Sequence, residues 1–465
     1  MSQARESSPH HQPHDPYAAL RIPTYRLFLV GWVIALLGTR IQSVAIAWEM
    51  YQRTGDALAL GLVGLAQAAP TMLLALPAGY LADRFHRPRL VMLSLVGMTL
   101  TSLALAVLSY QQGSIGLMYF FLFLDAAAVI LGRPARSALL PQLVPSEVFP
   151  NAVNWNTSFM QISGVVGPAL GGLILIWSVP AAYVVAALSS LIYLAMLARL
   201  NLRHIPAPGA TGSPVTNLLA GIRFVGRTRV ILAMITLDMF GVLLGGAVYL
   251  LPIYATDILN VGEKGFGWLR AAPAFGALCM AILLIYLPPM KRAGWALLWN
   301  VAGFGAATIV FGFSTSFWLS FVMLFLTGAF DNVSMVIRQT LQQMLTPDHM
   351  RGRVSAVSAV FISASNELGG LESGLTAHWF GPVFSVVSGG IGTLIVVAVP
   401  GLYSPELRSL GALHEAKPVD EPADEPQRLP AHVTARGAGV TAETQAHAQP
   451  PQQLYGLASE NAADD

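Results

Sequence analysis

The sequence predicts an all-α polytopic membrane protein with twelve transmembrane helices in two pseudo-symmetric six-helix bundles. Three observations support this fold class: a low charge content, twelve long apolar runs and an internal repeat. Of the 465 residues, 54% are hydrophobic and only 11% are charged, whereas soluble domains contain about 25% charged residues. The formal net charge of +2 is too small to indicate a nucleic-acid partner.

The apolar runs divide into two sets of six. A helix that crosses a bilayer needs about 20 mostly apolar residues. The runs lie at 26–49, 58–81, 90–110, 116–138, 152–176 and 180–199, and then at 229–256, 266–289, 295–314, 317–345, 353–377 and 382–402. The predicted organisation is a disordered cytoplasmic tail over 1–24, a bundle over 25–200, a linker with an amphipathic basic segment over 201–228, a bundle over 229–403 and a second disordered cytoplasmic tail over 404–465.

Lysines and arginines concentrate in the loops on one predicted side of the membrane. Cytoplasmic loops are enriched in these residues, so their distribution sets the orientation. The rich side includes Arg84, Arg87, Arg89, Arg133, Arg136, Arg199, Arg203, Arg223, Arg227, Lys291, Arg292, Arg351 and Arg353, and the poor side carries little beyond Arg53 and Lys264. We therefore expect a multi-pass protein of the plasma or inner membrane with both termini in the cytoplasm.

A repeat relates the two sets of runs. Four residues of the first half recur in the second at one offset of 202 residues. The pairs are Arg136 and Arg338, Pro145 and Pro347, Gly167 and Gly369, and Gly172 and Gly374. Four pairs at one offset indicate duplicated bundles.

The stretch GYLADRFHRPRL, residues 79–90, follows the second run and carries unusual charge for this chain. Topogenic arginines alone would hold this loop inside, but they do not explain the spacing of Gly79, Asp83 and Arg84. The stretch resembles the loop 2–3 signature of the major facilitator superfamily, with His86 where that family usually has glycine. The resemblance implies that Asp83 accepts bonds from Arg84 and Arg87 in a cytoplasmic latch between the bundles.

A second motif lies in the fifth run. SGVVGPALGGL, residues 163–173, contains Gly167, Pro168, Gly171 and Gly172. Ordinary close packing of small residues explains such a pattern; it also resembles the antiporter motif of drug and metabolite exporters in the same superfamily. RPARSALLPQLVP (133–145) and NELGGLESGLTAHWFGP (366–382) are similar to the enterobactin-exporter-like branch, which includes macrolide-efflux relatives.

Ionisable residues inside the first six runs are functional candidates, because burying charge in hydrocarbon is costly. Arg40 and Asp125 fall at similar depths when each helix rises 1.5 Å per residue. In the superfamily that this chain resembles, helices 1, 4, 7 and 10 line the central cavity. We expect Arg40 and Asp125 to form an ion pair there, and a static structural pair is as compatible with their positions as a functional one.

The second half has Asp238, Asp331 and Glu367 near the predicted midplane, with no lysine or arginine close to either aspartate in the apolar part of its run. We expect Asp238 and Asp331 to be unpaired, and at least one of Asp125, Asp238 and Asp331 to carry the proton of a proton-coupled exporter. Glu367 is expected to be a cavity residue. The alternative is that each carboxylate hydrogen-bonds a neighbouring helix. The repeat-related Arg136 and Arg338 are placed at the inner ends of the fourth and tenth runs.

The predicted function is secondary active export of an amphipathic small molecule, siderophore, macrolide or drug-like, by a monomer in the lipid bilayer with the proton as coupling ion. No phosphate-binding loop, metal motif or catalytic constellation is found, so no enzyme activity, cofactor or metal is expected. An importer or facilitator of a small metabolite and a non-transporting receptor or scaffold remain the alternatives. Dye efflux that a protonophore abolishes separates export from import, and tolerance of tail deletion separates a transporter from a receptor.

Overall fold

The computed structural model describes residues 15–200, 214–288, 290, 292–347, 350–403 and 408. The first 14 residues, residues 201–213 and nearly all of the predicted tail over 404–465 lie outside this part. The described residues form helices joined by short turns, and no strand occurs among them.

Six helices make up the first half of the chain. They are α1 (Pro23–Thr54), α2 (Ala57–Arg84), α3 (Arg87–Tyr110), α4 (Ile115–Leu143), α5 (Phe149–Leu175) and α6 (Val179–Ala198). Local sequence explains the sharp turn between α1 and α2. Gly55 adopts the left-handed conformation that ends α1, at φ 62°, and the Asp56 side chain caps α2 by accepting from the backbone N–H of Leu58.

The second half begins with a linker helix, Pro214–Arg227, and continues with six more helices. These are α7 (Arg229–Leu244), α8 (Gly262–Tyr286), α9 (Ala293–Phe313), α10 (Phe317–Leu345), α11 (Arg351–Phe380) and α12 (Pro382–Tyr403). In the described residues twelve helical segments are long and apolar enough to cross a membrane. The predicted number of spans is therefore confirmed.

The seventh span is interrupted, which the apolar run over 229–256 does not reveal. Regular α-helix ends at Leu244, and a 3₁₀ turn (Gly246–Leu250), one α turn and a π turn (Tyr254–Ile258) follow. We call residues 245–258 the α7 break. Irregular backbone is tolerated at membrane depth only where protein or a water-filled cavity satisfies its polar groups, so the break marks the edge of such a cavity.

The two halves use the same helix pairings. In the first half α1 packs on α5 and α6, α3 on α4 and α6, and α2 on α4; in the second half the helices numbered six higher make the same five pairings. Two further pairs, α2 with α11 and α5 with α8, join the halves and are also related by the repeat. The chain therefore folds as two pseudo-symmetric six-helix bundles.

The apolar cores show where the bundles meet. We call the side where α1 begins the terminal side and the side of the α1–α2 turn the distal side. On the distal side one cluster of buried residues contains side chains from both bundles, including Trp48, Leu60, Tyr254 and Phe266. On the terminal side each bundle has its own cluster, one around Tyr25 and one around Ile337. Among the described residues, the bundles thus share a buried core on the distal side and not on the terminal side.

Two glycine crossings allow this distal contact. A Cβ atom added to Gly374 of α11 would lie 2.6 Å from the Cα of Gly61 in α2, and one added to Gly172 of α5 would lie 2.6 Å from the Cα of Gly267 in α8. Both distances are far below contact distance and involve backbone that cannot move aside. A side chain at Gly374, Gly172 or Gly267 would therefore force the helices apart, and one at Gly61 would meet Gly374 at 3.1 Å.

Candidate functional site

A cavity of about 700 Å³ lies between the bundles. Its walls come from α1, α2, α3, α4 and α6 of the first bundle and from the α7 break, α8, α9, α10 and α11 of the second. This volume is in the range that holds drug-sized ligands. Its charged lining residues are Arg40, Asp125, Arg133, Arg136, Arg270, Asp331 and Glu367.

Asp125 of α4 is held by neutral donors. Its Oδ1 accepts from the Thr101 hydroxyl at 2.6 Å and its Oδ2 accepts from the Gln42 amide at 3.2 Å. Gln42 in turn accepts from the Ser102 hydroxyl at 2.6 Å. The predicted ion pair with Arg40 is therefore wrong. Arg40 precedes Gln42 by two residues, and two residues turn a helix by about 200°, so the arginine points to another side of α1.

Arg40 faces the cavity beside α5. Its side chain is exposed to the cavity and forms no ion pair or hydrogen bond with any residue that the structure describes. A Cβ added to Gly167 would lie 2.4 Å from the Cβ of Arg40. Gly167 therefore lets α1 and α5 approach closely at the level of this arginine.

The other residues of the α5 motif also lie at helix contacts. Gly171 faces Val44 of α1, Gly172 faces Gly267 of α8, and Pro168 is buried with its carbonyl oxygen directed at Gly267. The motif therefore packs α5 against one helix of its own bundle and one of the other.

Asp238 and Asp331 share one arginine. Arg338 lies 2.8 Å from Asp238 of α7 and 3.6 Å from Asp331 of its own helix. The prediction of unpaired carboxylates is wrong here, because the Arg338 side chain reaches back from two turns further along α10. Asp238 is almost fully buried, whereas half of the Asp331 side chain is exposed to the cavity. Arg136, the repeat partner of Arg338, instead lies 5.5 Å from the ring of Trp32.

Among the described carboxylates of the cavity, Glu367 of α11 has a buried oxygen atom that lacks a hydrogen-bond donor. Its Oε2 is buried and has no hydrogen-bond partner in the described structure. Arg270 of α8 and Arg133 of α4 are near enough for their charges to act on it, yet neither forms an ion pair with it within the described residues. A buried carboxylate oxygen without a donor is costly in its charged form.

Arg270 was missed as a candidate, although it lies inside the predicted eighth run. Its Nη1 donates to the carbonyl oxygen of Val248 in the α7 break at 2.8 Å, and its guanidinium lies 6.0 Å from the centre of the Tyr249 ring. Applying the rule for intramembrane charge to every run would have found it. Its partner could not have been found, because the hydropathy pattern does not show the α7 break.

No hydrogen bond or ion pair between described residues joins Asp83, Arg84 or Arg87 of the loop 2–3 signature to the second bundle. Asp83 is exposed and forms no hydrogen bond or ion pair with the described residues. Arg84 donates to the Tyr80 hydroxyl, and Arg87 donates to the Ala138 carbonyl oxygen of α4 at 3.3 Å. A Cβ at Gly79 would meet nothing within 4 Å, so this glycine is not required for packing in this conformation.

Polar contacts between described residues join the bundles on the distal side. His378 of α11 lies 2.7 Å from Asp56 at the start of α2. The Tyr51 hydroxyl of α1 donates to Asp257 in the α7 break. Glu49, another charged residue of the first run, is occupied within its own bundle by Tyr183 and Arg53, at 2.8 and 3.3 Å.

Comparison with known proteins gives one family over most of the chain. The family of transmembrane secretion effectors matches residues 14–430. The enterobactin exporter EntS of Escherichia coli O1:K1 is 26% identical over 394 residues, which are 83% of this chain and 93% of the exporter. The multidrug efflux pump Tap of Mycobacterium tuberculosis H37Rv is 26% identical over 403 residues, covering 82% of this chain and 94% of the pump.

Solved structures with the same fold are also membrane transporters. A bacterial homologue of the human lysosomal transporter Spinster aligns with a TM-score of 0.65 at 15% identity, over 81% of this chain and 96% of its own. A D-xylose–proton symporter aligns with a TM-score of 0.62 at 14% identity, over 86% of this chain and 98% of its own. At these identities the likeness concerns the fold alone.

Proposed function

The chain belongs to the transmembrane secretion effector family of the major facilitator superfamily, and we propose that it is a secondary active exporter of amphipathic small molecules. The class of substrate that we propose is siderophore-, macrolide- or drug-like. Support comes from the relatives named as an enterobactin exporter and a multidrug efflux pump. The chain is a multi-pass membrane transporter, not an enzyme, and we propose that both termini face the cytoplasm.

The arrangement of the two bundles supports the mechanism that we propose. They share an apolar core on the distal side and have separate cores on the terminal side, and a cavity lined by charged residues lies between them. Rocking of two rigid bundles around such a cavity gives alternating access. With the termini in the cytoplasm, the observed conformation is the one that receives substrate from inside. Closing the terminal side and separating the glycine crossings would then expose the cavity to the outside.

The loop 2–3 signature has its role in the opposite conformation. Asp83 is exposed and has no partner among the described residues, and it lies on the side where the bundles have separate cores. When the terminal sides approach each other, its carboxylate becomes available for charge-assisted bonds to the other bundle. Asp83 therefore favours the outward-facing state, and Asp83→Asn is expected to impair transport without unfolding the protein.

Proton coupling is assigned to Glu367. Asp125 accepts two hydrogen bonds and Asp238 is paired with Arg338, so both already have partners in the described structure. Glu367 has a buried oxygen without a donor and lines the cavity. A proton taken up from outside would neutralise this group, and its release inside would restore the charge. The proton would thus move inward while substrate moves outward.

The experiment is transport by the purified full chain in proteoliposomes. The panel contains a catechol siderophore, a macrolide, rhodamine 123 and fluorescein, each measured at two external pH values. Substrate efflux that rises with an inward proton gradient and stops with a protonophore is expected. Glu367→Gln should abolish the response to the gradient. Glu372→Gln is the matched control on the same helix, because Glu372 accepts from Thr376 at 2.9 Å and does not line the cavity.

Other outcomes distinguish the alternatives. Substrate accumulation in the direction of proton flow would make the protein an importer. Downhill movement that ignores the proton gradient would make it a facilitator. Transport of none of the panel, together with loss of cellular function after deletion of residues 409–465, would favour a receptor or scaffold.

A further inference from the structure

The cavity contains arginines without counter-ions. Arg40, Arg133, Arg136 and Arg270 line it, and none forms an ion pair with any carboxylate in the described part of the chain. An arginine at membrane depth normally faces a partner of opposite charge or water. Arg133 and Arg136 belong to the arginine-rich inner end of α4. Arg40 and Arg270 lie within their spans, so these two arginines require an explanation beyond topology.

Two of these arginines approach the same space from opposite bundles. Arg40 belongs to α1 and Arg270 belongs to α8, and their like charges act on each other. Arg270 is held in place by the Val248 carbonyl oxygen and the face of the Tyr249 ring. Arg40 is held at its stem by the close approach of Gly167. The Arg270 guanidinium is therefore positioned in advance, whereas Arg40 is fixed only at its stem. Neither arginine forms an ion pair with a described residue.

The carboxylates of the cavity do not balance these charges. Asp125 has neutral donors on both oxygens, and Asp331 already faces Arg338. Asp125 and Glu367 are the lining carboxylates without an arginine partner among the described residues, against four arginines in the lining. Even with Glu367 ionised, the cavity keeps an excess of positive charge. Protonation of Glu367 would increase that excess.

We infer that Arg40 and Arg270 form a two-sided binding site for an anionic group of the substrate, a carboxylate, sulfonate or phenolate. A guanidinium binds a carboxylate or sulfonate with two parallel hydrogen bonds, which lysine cannot reproduce, and it binds a phenolate through that group's single oxygen. Apolar and aromatic residues of the same cavity, among them Ile46, Phe304 and Phe311, would receive the hydrophobic body. A ligand held in this way bridges both bundles. The inference rests on the proposed function and narrows its substrate class.

Binding of two dyes with opposite charge tests the site. Fluorescein is an anion and rhodamine 123 is a cation, and both have the same xanthene ring system. The full chain is placed in nanodiscs of phosphatidylcholine, which has no net charge, in alkaline buffer, and dye anisotropy is titrated. Fluorescein should bind at least about tenfold more tightly than rhodamine 123, a difference of about 1.4 kcal/mol.

Single substitutions test whether fluorescein binding depends on Arg40 and Arg270 themselves or only on the overall positive charge of the cavity. Arg40→Gln and Arg270→Gln should each weaken fluorescein binding about tenfold or more, about 1.4 kcal/mol, and leave rhodamine binding unchanged or improved. Arg40→Lys and Arg270→Lys should recover part of the affinity. Arg21→Gln is the control, because Arg21 lies outside the cavity and pairs with Asp15 at 3.2 Å. Melting temperatures of all variants show whether each is folded.

Equal binding of the two dyes, no binding of fluorescein, or fluorescein binding that survives both glutamine substitutions would overturn the anion site. Export of rhodamine 123 or a macrolide in proteoliposomes under those circumstances would leave the exporter function standing. Specific fluorescein binding without export of any compound would have the opposite meaning: the anion site would stand and the exporter function would fall.

Discussion

His378 lies 2.7 Å from Asp56 and joins the second bundle to the first on the distal side. His378 is near the end of α11, and Asp56 caps the start of α2. The two side chains are 42% and 38% exposed, so the contact faces water rather than the buried core. A contact that exists only while the distal sides touch biases the protein toward the observed conformation.

Removing this contact should shift the bundles toward distal opening. Exposed pairs contribute about 0.2–1 kcal/mol, so Asp56→Asn or His378→Gln should raise the open-to-closed ratio by up to about fivefold. Spin labels on cysteines at Gln111 and Thr315, in a Cys279→Ser background, would report the distance between the distal loops. The double substitution should shift the distance distribution no further than either single one, whereas additive shifts would show that the two residues act independently.

The same contact should respond to acid through Asp56. Burial opposes ionisation of Asp56, but hydrogen bonds from the Leu58 backbone N–H and from His378 outweigh burial and hold its pKa below the usual 3.8. The Leu58 bond is local to α2 and persists in both states, so only the lowering due to His378 distinguishes the state that has the contact. That part stabilises the contact while Asp56 is ionised, and the stabilisation disappears as the pH falls through the lowered pKa. The distal distance should lengthen over this acidic range in the parent protein and stay constant in Asp56→Asn. An identical response in both would contradict the assignment to Asp56.

The number of spans and the duplicated halves were predictable from the sequence because hydropathy and repeats are properties of local residues. Side-chain partners were not. Depth along a helix places Arg40 and Asp125 at similar levels, but it does not give the rotation of α1 that directs Gln42, rather than Arg40, toward Asp125. The rotation depends on how α1 packs against α5 and α6, and many residues of three helices determine that packing.

Asp238 and Asp331 of the second bundle show a different limit of prediction from depth along a helix, which is the reach of a long side chain. Their depths suggested carboxylates without partners, because Arg338 lies two turns further along α10. A long flexible side chain can cover that distance and carry its charge to Asp238. The break after Leu244 was equally hidden, because its residues are as apolar as a regular span. The fold class could therefore be predicted from the sequence alone, whereas the side-chain partners in the site could be identified only from the packed structure.

The glycine crossings should control distal closure. A methyl group at Gly374 or Gly172 would meet backbone at 2.6 Å, so α2 and α11, or α5 and α8, must separate to admit it. Gly374→Ala and Gly172→Ala should therefore lengthen the distance between spin labels at Gln111 and Thr315 and reduce transport by at least about tenfold, roughly 1.4 kcal/mol. The matched control is Gly226→Ala in the linker helix, where no atom lies within 4 Å. An unchanged distance in the Gly374 and Gly172 variants would show that the crossings do not limit closure.

Arg338 should be essential for stability because of Asp238. The two side chains are only 13% and 10% exposed, and removing one member of a buried ion pair leaves a charge that protein no longer compensates, at about 3–5 kcal/mol. Arg338→Gln should therefore lower the melting temperature of the purified protein clearly. Adding Asp238→Asn should restore much of the loss, because it removes the uncompensated charge. Arg21→Gln, which breaks the exposed Arg21–Asp15 pair, should change the melting temperature little. If the double variant melts as low as Arg338→Gln alone, the arginine stabilises the bundle through contacts other than Asp238.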